Sequence, residues 1–486
     1  MLRPLRHRVA EEQQVIFCIP QSTALIPLSK GKKSLVSFGA IMLTVAVACY
    51  GLALMNLVPP ILERLDGMSY AGLVGLCISL GITLMSPIGG KLGDIFGRKA
   101  VVVIAGLVNL ICGIGIAFAP NVLILLICCF GVGFSQGAYV SAPYIIMGLI
   151  NEKNVPKSMG YLTMALSIGG TAGSILAGIL SDMGMLTAAI LFPAVPLILG
   201  IVLIGLAYPN DKSGKQVAID YKGIILMAVA MPAITLSLSG PTTLGWSMVL
   251  SGVVLAVGVV FAYFLLKHES SIDAPIIPMK LFKEKNYVLF LLVGAICYFG
   301  RGAVDNYAPL GAQQVIKTSA ALSGSLQLPK TLLTMILPAI AGVWMAKKKA
   351  NMWKAMFIAT LLFALPLLAM GFTVQAGWYI IVYFVVITVS GVGESFRGIS
   401  FTPAAQSVLS TEDIGIGTSM INFANSLSAS VAAAIYSAIY GFCTASGVTA
   451  DTVQMGVNGV FLVAGAVTVI GVILCLTKIR PMLEKE

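Results

Sequence analysis

Charged residues are scarce in this sequence. Only 10% of its 486 residues are Asp, Glu, Lys or Arg, whereas 58% are hydrophobic. Soluble globular domains carry about 25% charged residues, so this chain lacks the polar groups that a water-facing surface requires. The composition therefore excludes an ordinary soluble protein and indicates a chain whose solvent is largely lipid.

Histidines, paired cysteines and common catalytic motifs are also rare or missing. The two histidines, His7 and His268, lie outside the apolar runs, which excludes a histidine relay inside a membrane. The nine cysteines include no CxxC pair, and most lie in apolar runs, where a thiol behaves as a small apolar side chain. No HExxH or GxxxxGK[ST] motif occurs. The sequence therefore predicts no enzyme, no ATP-driven pump, no metal site and no bound cofactor.

Fourteen apolar runs are long enough to cross a bilayer as helices. A hydrocarbon core about 30 Å thick needs roughly 20 apolar residues in helical form. The 51 glycines fit a bundle of closely packed membrane helices. The sequence thus predicts an all-α membrane protein with spans at 35–58, 69–89, 100–119, 121–148, 159–180, 186–208, 222–240, 248–267, 286–308, 321–345, 352–373, 377–399, 415–441 and 455–477.

The loops between these runs alternate in charge. The Lys and Arg residues of the loops lie in alternate loops, all of which except 400–414 contain them, and the loops between these hold only Arg64 and Lys317. Because cytoplasmic loops carry the excess of basic residues, the pattern predicts a multi-pass protein of the cell membrane with both termini cytoplasmic. The expected divisions are a cytoplasmic tail (1–34), six spans (35–208), a linker with two spans (209–285), six spans (286–477) and a second tail (478–486).

A glycine-bounded segment with one carboxylate and a basic pair follows the second predicted span. It reads Gly90-Lys91-Leu92-Gly93-Asp94-Ile95-Phe96-Gly97-Arg98-Lys99. This segment resembles the G-x-L-x-D-x-x-G-R-K loop of the major facilitator superfamily, which lies between the same two spans. The resemblance implies a conformational gate that closes the cytoplasmic side and opens in each cycle, formed by Gly90, Asp94, Gly97, Arg98 and Lys99.

The fifth predicted span carries small residues at regular spacing. Its pattern is similar to the antiporter motif of the same family, G-x8-G-x3-G-P-x2-G-G, except that Ser174 replaces the Pro and Ala177 replaces a Gly. Small residues on one helix face also allow close packing against a neighbour. An antiporter motif and a packing face therefore both remain open for Gly160, Gly169, Gly173, Ser174 and Gly178.

Segments in the second half resemble the fourteen-helix drug:proton antiporter branch, which includes carriers of bile acids and other organic anions. They are His268-Glu269, Pro275–Phe282, Ala312–Val315 and Leu328-Pro329, and the resemblance extends over about residues 35–477. It implies two six-helix bundles plus two linker helices. It also implies secondary transport of small amphipathic organic solutes by alternating access. Export is the favoured direction of transport, and a proton or another ion is the coupling species.

This chain departs from the usual pattern of the branch in the first and fourth spans. Many members carry an Asp five residues before Asn56, but this chain has Gly51 there, and the fourth span lacks the usual Arg. A carrier of organic anions, or a uniporter, that is not coupled through a first-span Asp is therefore an alternative. A membrane sensor that binds its ligand without moving it is another.

Charged residues in the interior of the predicted spans, away from their ends, occur only in the last six. Such residues cost about 2.5–3.5 kcal/mol on insertion scales, so their presence suggests a pathway or a partner. Arg301 and Asp305 share a helix face and either line the central cavity or neutralise each other. Lys330 is expected to pair with Asp305 or with an anionic substrate. Glu394 and Arg397 fit a solvated pair at a helix end better than a binding pair.

Polar residues in the first six spans are uncharged. Asn56, Gln136 and Tyr139 either line a cavity or form hydrogen bonds between helices. The expected partners are a small-molecule substrate and the lipid bilayer. Despite a net charge of +11, nucleic acid is not expected, because the basic residues lie in short loops between apolar runs. We expect a monomer.

Overall fold

The computed structural model describes residues 28–150, 155–210, 220–272, 275, 277–346, 348, 350–372, 376–410 and 413–484. The predicted tail up to residue 27 and several predicted cytoplasmic lysines, among them Lys153, Lys212, Lys215, Lys347 and Lys349, lie outside these ranges. The described residues form helices and turns without strands, and they contain fourteen helical segments long and apolar enough to cross a membrane. The all-α, fourteen-span prediction is confirmed.

We number the spans in chain order. Spans 4, 6 and 10 each consist of two consecutive helices, and the other spans are single helices. The helices of spans 1 to 14 are Lys30–Arg64; Ala71–Phe96; Arg98–Ala117; Val122–Tyr139 with Ala142–Ile150; Val155–Asp182; Leu186–Leu191 with Ala194–Ala207; Tyr221–Thr243; Met248–Glu269; Lys285–Gln314; Ala320–Ser325 with Leu328–Ala346; Ala350–Gly371; Ala376–Ser407; Ile414–Thr444; and Ala450–Leu474.

Spans 4, 6 and 10 were predicted as continuous runs, and the structure interrupts each of them. Pro143, Pro193 and Pro329 lie at or just after the three interruptions. Proline lacks a backbone N–H and clashes with the preceding turn, so it is best tolerated where a helix starts. The hydropathy of the sequence alone does not reveal where these helices are interrupted.

Several helices extend beyond the apolar runs that predicted them. Span 1 begins at Lys30, where the Ser29 side chain accepts a hydrogen bond from the N–H of Lys32 at 3.5 Å, and it continues to Arg64. Span 12 was predicted to end at residue 399 but runs to Ser407. Hydrogen bonding along a helix does not stop where the apolar composition does, so the span 12 prediction was too short. This extension matters for the residues inside it.

The first six spans pack against one another through small residues. Span 2 packs along span 4, and a Cβ at Gly81 would lie 2.5 Å from the backbone oxygen of Phe130. A Cβ at Gly137 would lie 2.8 Å from the backbone oxygen of Ile82. These contacts allow helix backbones to approach closely, as is usual in membrane bundles.

Spans 7 and 8 form a hairpin beside the two bundles. Span 7 packs on spans 8, 13 and 2, whereas span 8 is largely exposed. Asp220 caps span 7 by accepting a hydrogen bond from the N–H of Gly223 at 2.9 Å, and its Oδ1 lies 2.8 Å from Nε2 of His268 in the last turn of span 8. Burial alone would raise the pKa of Asp220, but these two hydrogen bonds and the charges of His268 and Lys91 together lower the pKa.

The linker is also attached to the second bundle. Nζ of Lys280 donates a hydrogen bond to the carboxylate of Asp413, which lies just before span 13. This bond and a second one from the Ser410 hydroxyl hold the pKa of Asp413 below its usual range. One contact therefore joins the start of span 7 to the end of span 8, and another joins the segment after span 8 to the second bundle.

Candidate functional site

The five ionisable residues predicted inside the last six spans lie together. Arg301 and Asp305 come from span 9, Lys330 from span 10, and Glu394 and Arg397 from span 12. We call these five residues the charged cluster. Arg301 lies near the middle of the thirty-residue helix Lys285–Gln314, so the cluster is at membrane depth.

Arg301 connects the two carboxylates of the cluster. Its Nε donates to Oδ2 of Asp305 at 2.9 Å, and its Nη1 donates to Oε1 of Glu394 at 3.2 Å. Nζ of Lys330 donates to Oδ1, the other oxygen of Asp305. Both partners considered for Asp305 from the sequence are therefore present, one along the helix and one across the bundle.

Glu394 and Arg397 belong to the same network. Arg397 donates from Nε and Nη2 to the two oxygens of Glu394, each at 2.7 Å. Their side chains are only 15% and 11% exposed, and span 12 continues ten residues beyond Arg397 to Ser407. The interpretation as a solvated pair at a helix end is wrong, because the helix is longer than its apolar run.

Tyr298 lies between the two guanidinium groups. The carbon at the centre of each group is 4.5 Å from the ring centroid for Arg397 and 5.3 Å for Arg301. The negative face of an aromatic ring attracts a cation most strongly where water is excluded. Tyr298 was not predicted as a site residue; its position three residues before Arg301, on the same helix face, was the available signal.

A glycine in span 12 allows Lys330 to reach the cluster. A Cβ at Gly391 would lie 2.8 Å from Cα of Lys330, closer than side-chain carbons are normally found. Spans 10 and 12 therefore touch through backbone at this point. The hydroxyl of Ser395 adds a hydrogen bond to the carbonyl of Leu333 at 3.3 Å one turn further along. Close backbone approach thus determines the distance between Lys330 and the carboxylates.

The two bundles meet near the cluster. Asn306, next to Asp305, lies against span 2, where a Cβ at Gly75 would be 3.5 Å from its amide carbon. Thr83 of span 2 bonds to span 13 through the hydroxyl of Ser430 at 2.7 Å. Span 9 therefore contacts the first bundle at the residue that follows Asp305.

Asn56 joins the bundles and does not line a cavity. It is completely buried, and its Nδ2 donates to the carbonyls of Ser174 in span 5 at 3.2 Å and Ala320 in span 10 at 2.8 Å. Nε2 of Gln313 donates to Oδ1 of Asn56 at 3.0 Å and to its carbonyl at 2.7 Å. In this conformation, Asn56 is part of a closed contact.

Asp182 strengthens the same closed end. The carboxylate at the end of span 5 accepts hydrogen bonds from the N–H groups of Ala320 and Ala321 at 2.9 and 2.8 Å, where span 10 begins. Sequence reasoning missed this residue. The signal was a carboxylate in the last turn of a helix, which its own dipole disfavours and the start of another helix favours.

The small residues of span 5 pack against span 1 on one side and against span 10 on the other. A Cβ at Gly169 would lie 2.9 Å from Cα of Val45 in span 1, and one at Gly173 would lie 2.7 Å from Sγ of Cys49. Gly178 lies against Ala320 of span 10, and the carbonyl of Ser174 accepts the bond from Asn56. Gly160 lies in the same helix. The geometry favours the packing interpretation of this motif.

The segment resembling the family's loop is mostly helical. Span 2 continues through Gly90 to Phe96, Gly97 turns the chain with φ of 90°, and Arg98 and Lys99 begin span 3. Arg98 is 8% exposed. The side chain of Asp94 lies outside the described part of the structure. The segment expected to form a loop is therefore mostly helical, because span 2 extends to Gly97, the one residue of this segment with a positive φ.

The polar residues of span 4 are buried among helices. The hydroxyl of Tyr139 is fully buried and accepts a hydrogen bond from Nδ2 of Asn109 in span 3 at 3.0 Å. Gln136 is 3% exposed. For Tyr139 the geometry favours a hydrogen bond between helices over a cavity wall.

One pentapeptide in span 4 has the spacing of a hydrolase motif. Gly133-Phe134-Ser135-Gln136-Gly137 matches GxSxG, a pattern that places its serine on a sharp turn from strand to helix in hydrolases. Here the segment is inside the helix Val122–Tyr139, and the Ser135 hydroxyl donates to the carbonyl of Val132 at 2.9 Å. Its glycines pack against span 2. The segment therefore has a packing role.

Comparison with known proteins identifies the family. The model of the Major Facilitator Superfamily matches residues 36–433. The chain is 24% identical over 415 residues to the multidrug transporter protein MdtP of Bacillus subtilis, covering 82% of this chain and 73% of MdtP. It is 25% identical over 322 residues to the MFS-type transporter clz4 of Cochliobolus lunatus, covering 64% of this chain and 58% of that protein.

A solved structure has the same fold. A POT family transporter crystallised in complex with 5-aminolevulinic acid aligns over 95% of this chain and 99% of its own, with a TM-score of 0.67 and 14% identity. The family match covers most of the chain and the fourteen spans fit it. The chain therefore belongs to the major facilitator superfamily and is a membrane transporter of small solutes, not an enzyme.

Proposed function

We propose that this protein exports small amphipathic organic solutes from the cytoplasm by secondary active transport, with the charged cluster as its central site. The observation that carries the proposal is a buried network of five charged side chains from spans 9, 10 and 12 at membrane depth. Charges at this depth are costly and mark pathways of substrates or ions in transporters. The multidrug transporter among its relatives supports export as the direction.

The proposed orientation follows from the basic loops. With lysine-rich loops inside, both termini are cytoplasmic, and the end that carries Asn56, Asp182 and Ala320 faces outside. Hydrogen bonds between the bundles close that end. This conformation is then closed outward, and the alternating-access step breaks these bonds while Gly90, Asp94, Gly97, Arg98 and Lys99 close the cytoplasmic end.

The proposed coupling ion is the proton. Asp305 and Glu394 are the two carboxylates in the interior of a span, since the other acidic residues lie in tails, in loops or at span ends. A proton that binds either carboxylate weakens its bonds to Arg301, Lys330 or Arg397. Protonation of either carboxylate therefore weakens bonds that hold spans 9, 10 and 12 together. The transport unit is proposed to be a monomer.

Flux into inverted membrane vesicles tests this function. Vesicles that contain the protein are loaded with a proton gradient, and uptake of a panel of anionic, neutral and cationic amphipathic dyes is measured. We expect uptake that stops when an ionophore collapses the gradient, with vesicles lacking the protein as control. Binding of a dye without flux would indicate a sensor. Flux that is insensitive to the gradient would remove the proton from the proposal.

A further inference from the structure

The charges of the cluster do not cancel. Of the 19 acidic residues in the sequence, Asp305 and Glu394 are the two in the interior of a span, whereas three cations, Arg301, Lys330 and Arg397, lie there. Two carboxylates against three cations leave one positive charge at membrane depth when all five groups are ionised. The interior of the first six spans contains no acidic residue that could balance it.

The cluster's own contacts leave Arg301 open. Three of the four carboxylate oxygens accept hydrogen bonds from Arg301 or Lys330. Arg397 donates to the fourth, Oε2 of Glu394, and also to Oε1 of Glu394. Nη2 of Arg301 makes no hydrogen bond within the part of the chain that the structure describes. The Arg301 side chain is 32% exposed, against 11% for Lys330 and Arg397. Arg301 is thus the most accessible of the three cations, and a ligand would meet the excess positive charge there.

The aromatic ring beside the cluster adds to this pattern. Tyr298 contacts the guanidinium groups of both Arg301 and Arg397, and its hydroxyl lies 3.4 Å from Nη1 of Arg301. An aromatic face stabilises a cation but contributes no negative charge. The ring therefore stabilises two guanidinium groups without neutralising the excess positive charge.

We propose that the substrate carries one carboxylate, which binds at the open edge of Arg301 and brings the cluster to neutrality. An unpaired charge in a low-dielectric site is strongly unfavourable, and a monoanion removes that penalty. The planar donors of a guanidinium match the geometry of a carboxylate. The organic nature of the substrate rests on the proposed function, whereas the sign of its charge rests on the cluster alone.

Equilibrium binding to the purified full-length protein tests the charge preference. The protein is placed in nanodiscs of zwitterionic phosphatidylcholine, so that no anionic lipid competes. Three probes of similar shape, naphthylacetate, naphthylethanol and naphthylethylammonium, are titrated by calorimetry, with empty nanodiscs subtracted. We expect naphthylacetate to bind about tenfold more tightly than either of the others. Equal affinities, or a preference for the ammonium, would overturn the proposal.

Two variants separate charge from structure. Lys330→Met leaves two cations and two carboxylates, so the preference for naphthylacetate should disappear. Lys330→Met combined with Asp305→Asn restores one excess cation, so the preference should return. If Lys330 acted only by packing, the double variant would bind no better than the single one. Lys330→Arg, which retains the charge, should keep the preference and shows that the position tolerates substitution.

Two further arms identify the anion and separate this proposal from the transport function. Chloride that displaces naphthylacetate at equal concentration would overturn a carboxylate site in favour of one for inorganic anions. Selective binding of naphthylacetate in nanodiscs with no dye flux in vesicles would support the anion site and overturn transport. Flux of dyes regardless of their charge would support transport and overturn the anion site.

Discussion

At membrane depth, the first six spans bury neutral polar side chains, whereas the last six also bury charged ones. In the first bundle, Tyr139 and Asn109 form one hydrogen bond between helices at 3.0 Å. In the second, Arg301 is bonded to two carboxylates that are themselves bonded to two other cations. Two bundles of the same helix count therefore use their interiors differently.

The two kinds of buried polar group have different energetic consequences. A neutral hydrogen bond between membrane helices contributes about 0.6 kcal/mol on average, so it stabilises a bundle without constraining what the bundle binds. A buried ionic network is a weak source of stability and is expensive to leave incomplete. Its presence in one bundle only supports the proposal that the charged cluster is the central site.

The largest effect is expected from removing one carboxylate of the cluster. Asp305→Asn leaves Arg301 and Lys330 with a neutral partner, and breaking a buried charge pair costs about 3–5 kcal/mol. Transport should fall at least about tenfold, measured as dye flux in vesicles at matched protein amounts. The control is Asp451→Asn at the exposed start of span 14. Unchanged flux in Asp305→Asn would remove Asp305 from the site.

The next effect tests the backbone contact that positions Lys330. Gly391→Ala would place a methyl group 2.8 Å from Cα of Lys330, so spans 10 and 12 must separate. We expect flux to fall about threefold to tenfold with expression retained. Gly398→Ala in the same helix is the matched control, because a Cβ there would meet nothing within 4 Å. Equal behaviour of the two variants would show that the contact is not needed.

A smaller effect is expected where the bundles are joined. Asn56→Ala removes three hydrogen bonds of the side chain from the closed end, two donated and one accepted. The open population should rise about fivefold for a loss of roughly 1 kcal/mol. The readout is the labelling rate of a cysteine at buried Ser323 by an impermeant maleimide. Gln314→Ala, which removes an exposed bond to Glu63, should leave that rate unchanged.

The smallest effect should come from the first bundle. Tyr139→Phe removes the hydroxyl that accepts from Asn109 and should lower the free energy of unfolding by about 1 kcal/mol. Thermal unfolding in detergent measures this change. Flux should remain within about a factor of two of the unmodified protein, since no charge is altered. A loss of flux as large as that of Asp305→Asn would contradict the contrast between the bundles.

The five residues of the charged cluster were predictable one by one, but their arrangement was not. Charge inside an apolar run singled out Arg301, Asp305, Lys330, Glu394 and Arg397. Helical spacing connected Arg301 with Asp305 and Glu394 with Arg397. No local rule connects span 9 with span 12, so the bond between Arg301 and Glu394 appears only in the folded chain.

The hydrogen-bond partners of Asn56 could not be predicted from the sequence at all. Its polarity within an apolar run predicted either a cavity wall or a hydrogen bond between helices. Its partners are carbonyls of Ser174 and Ala320, 118 and 264 residues away. Every residue has a carbonyl, so the sequence carries no signal for which carbonyls an amide will meet.

The sequence by itself determined the fourteen spans and the residues that carry charge into the membrane, because hydrophobic length and the cost of burying a charge are properties of local composition. Only the tertiary structure decided that those charges form one network and that one end of the molecule is closed. Both depend on helix contacts between residues far apart in the chain, which are set by close backbone approach at glycines such as Gly391 and Gly324.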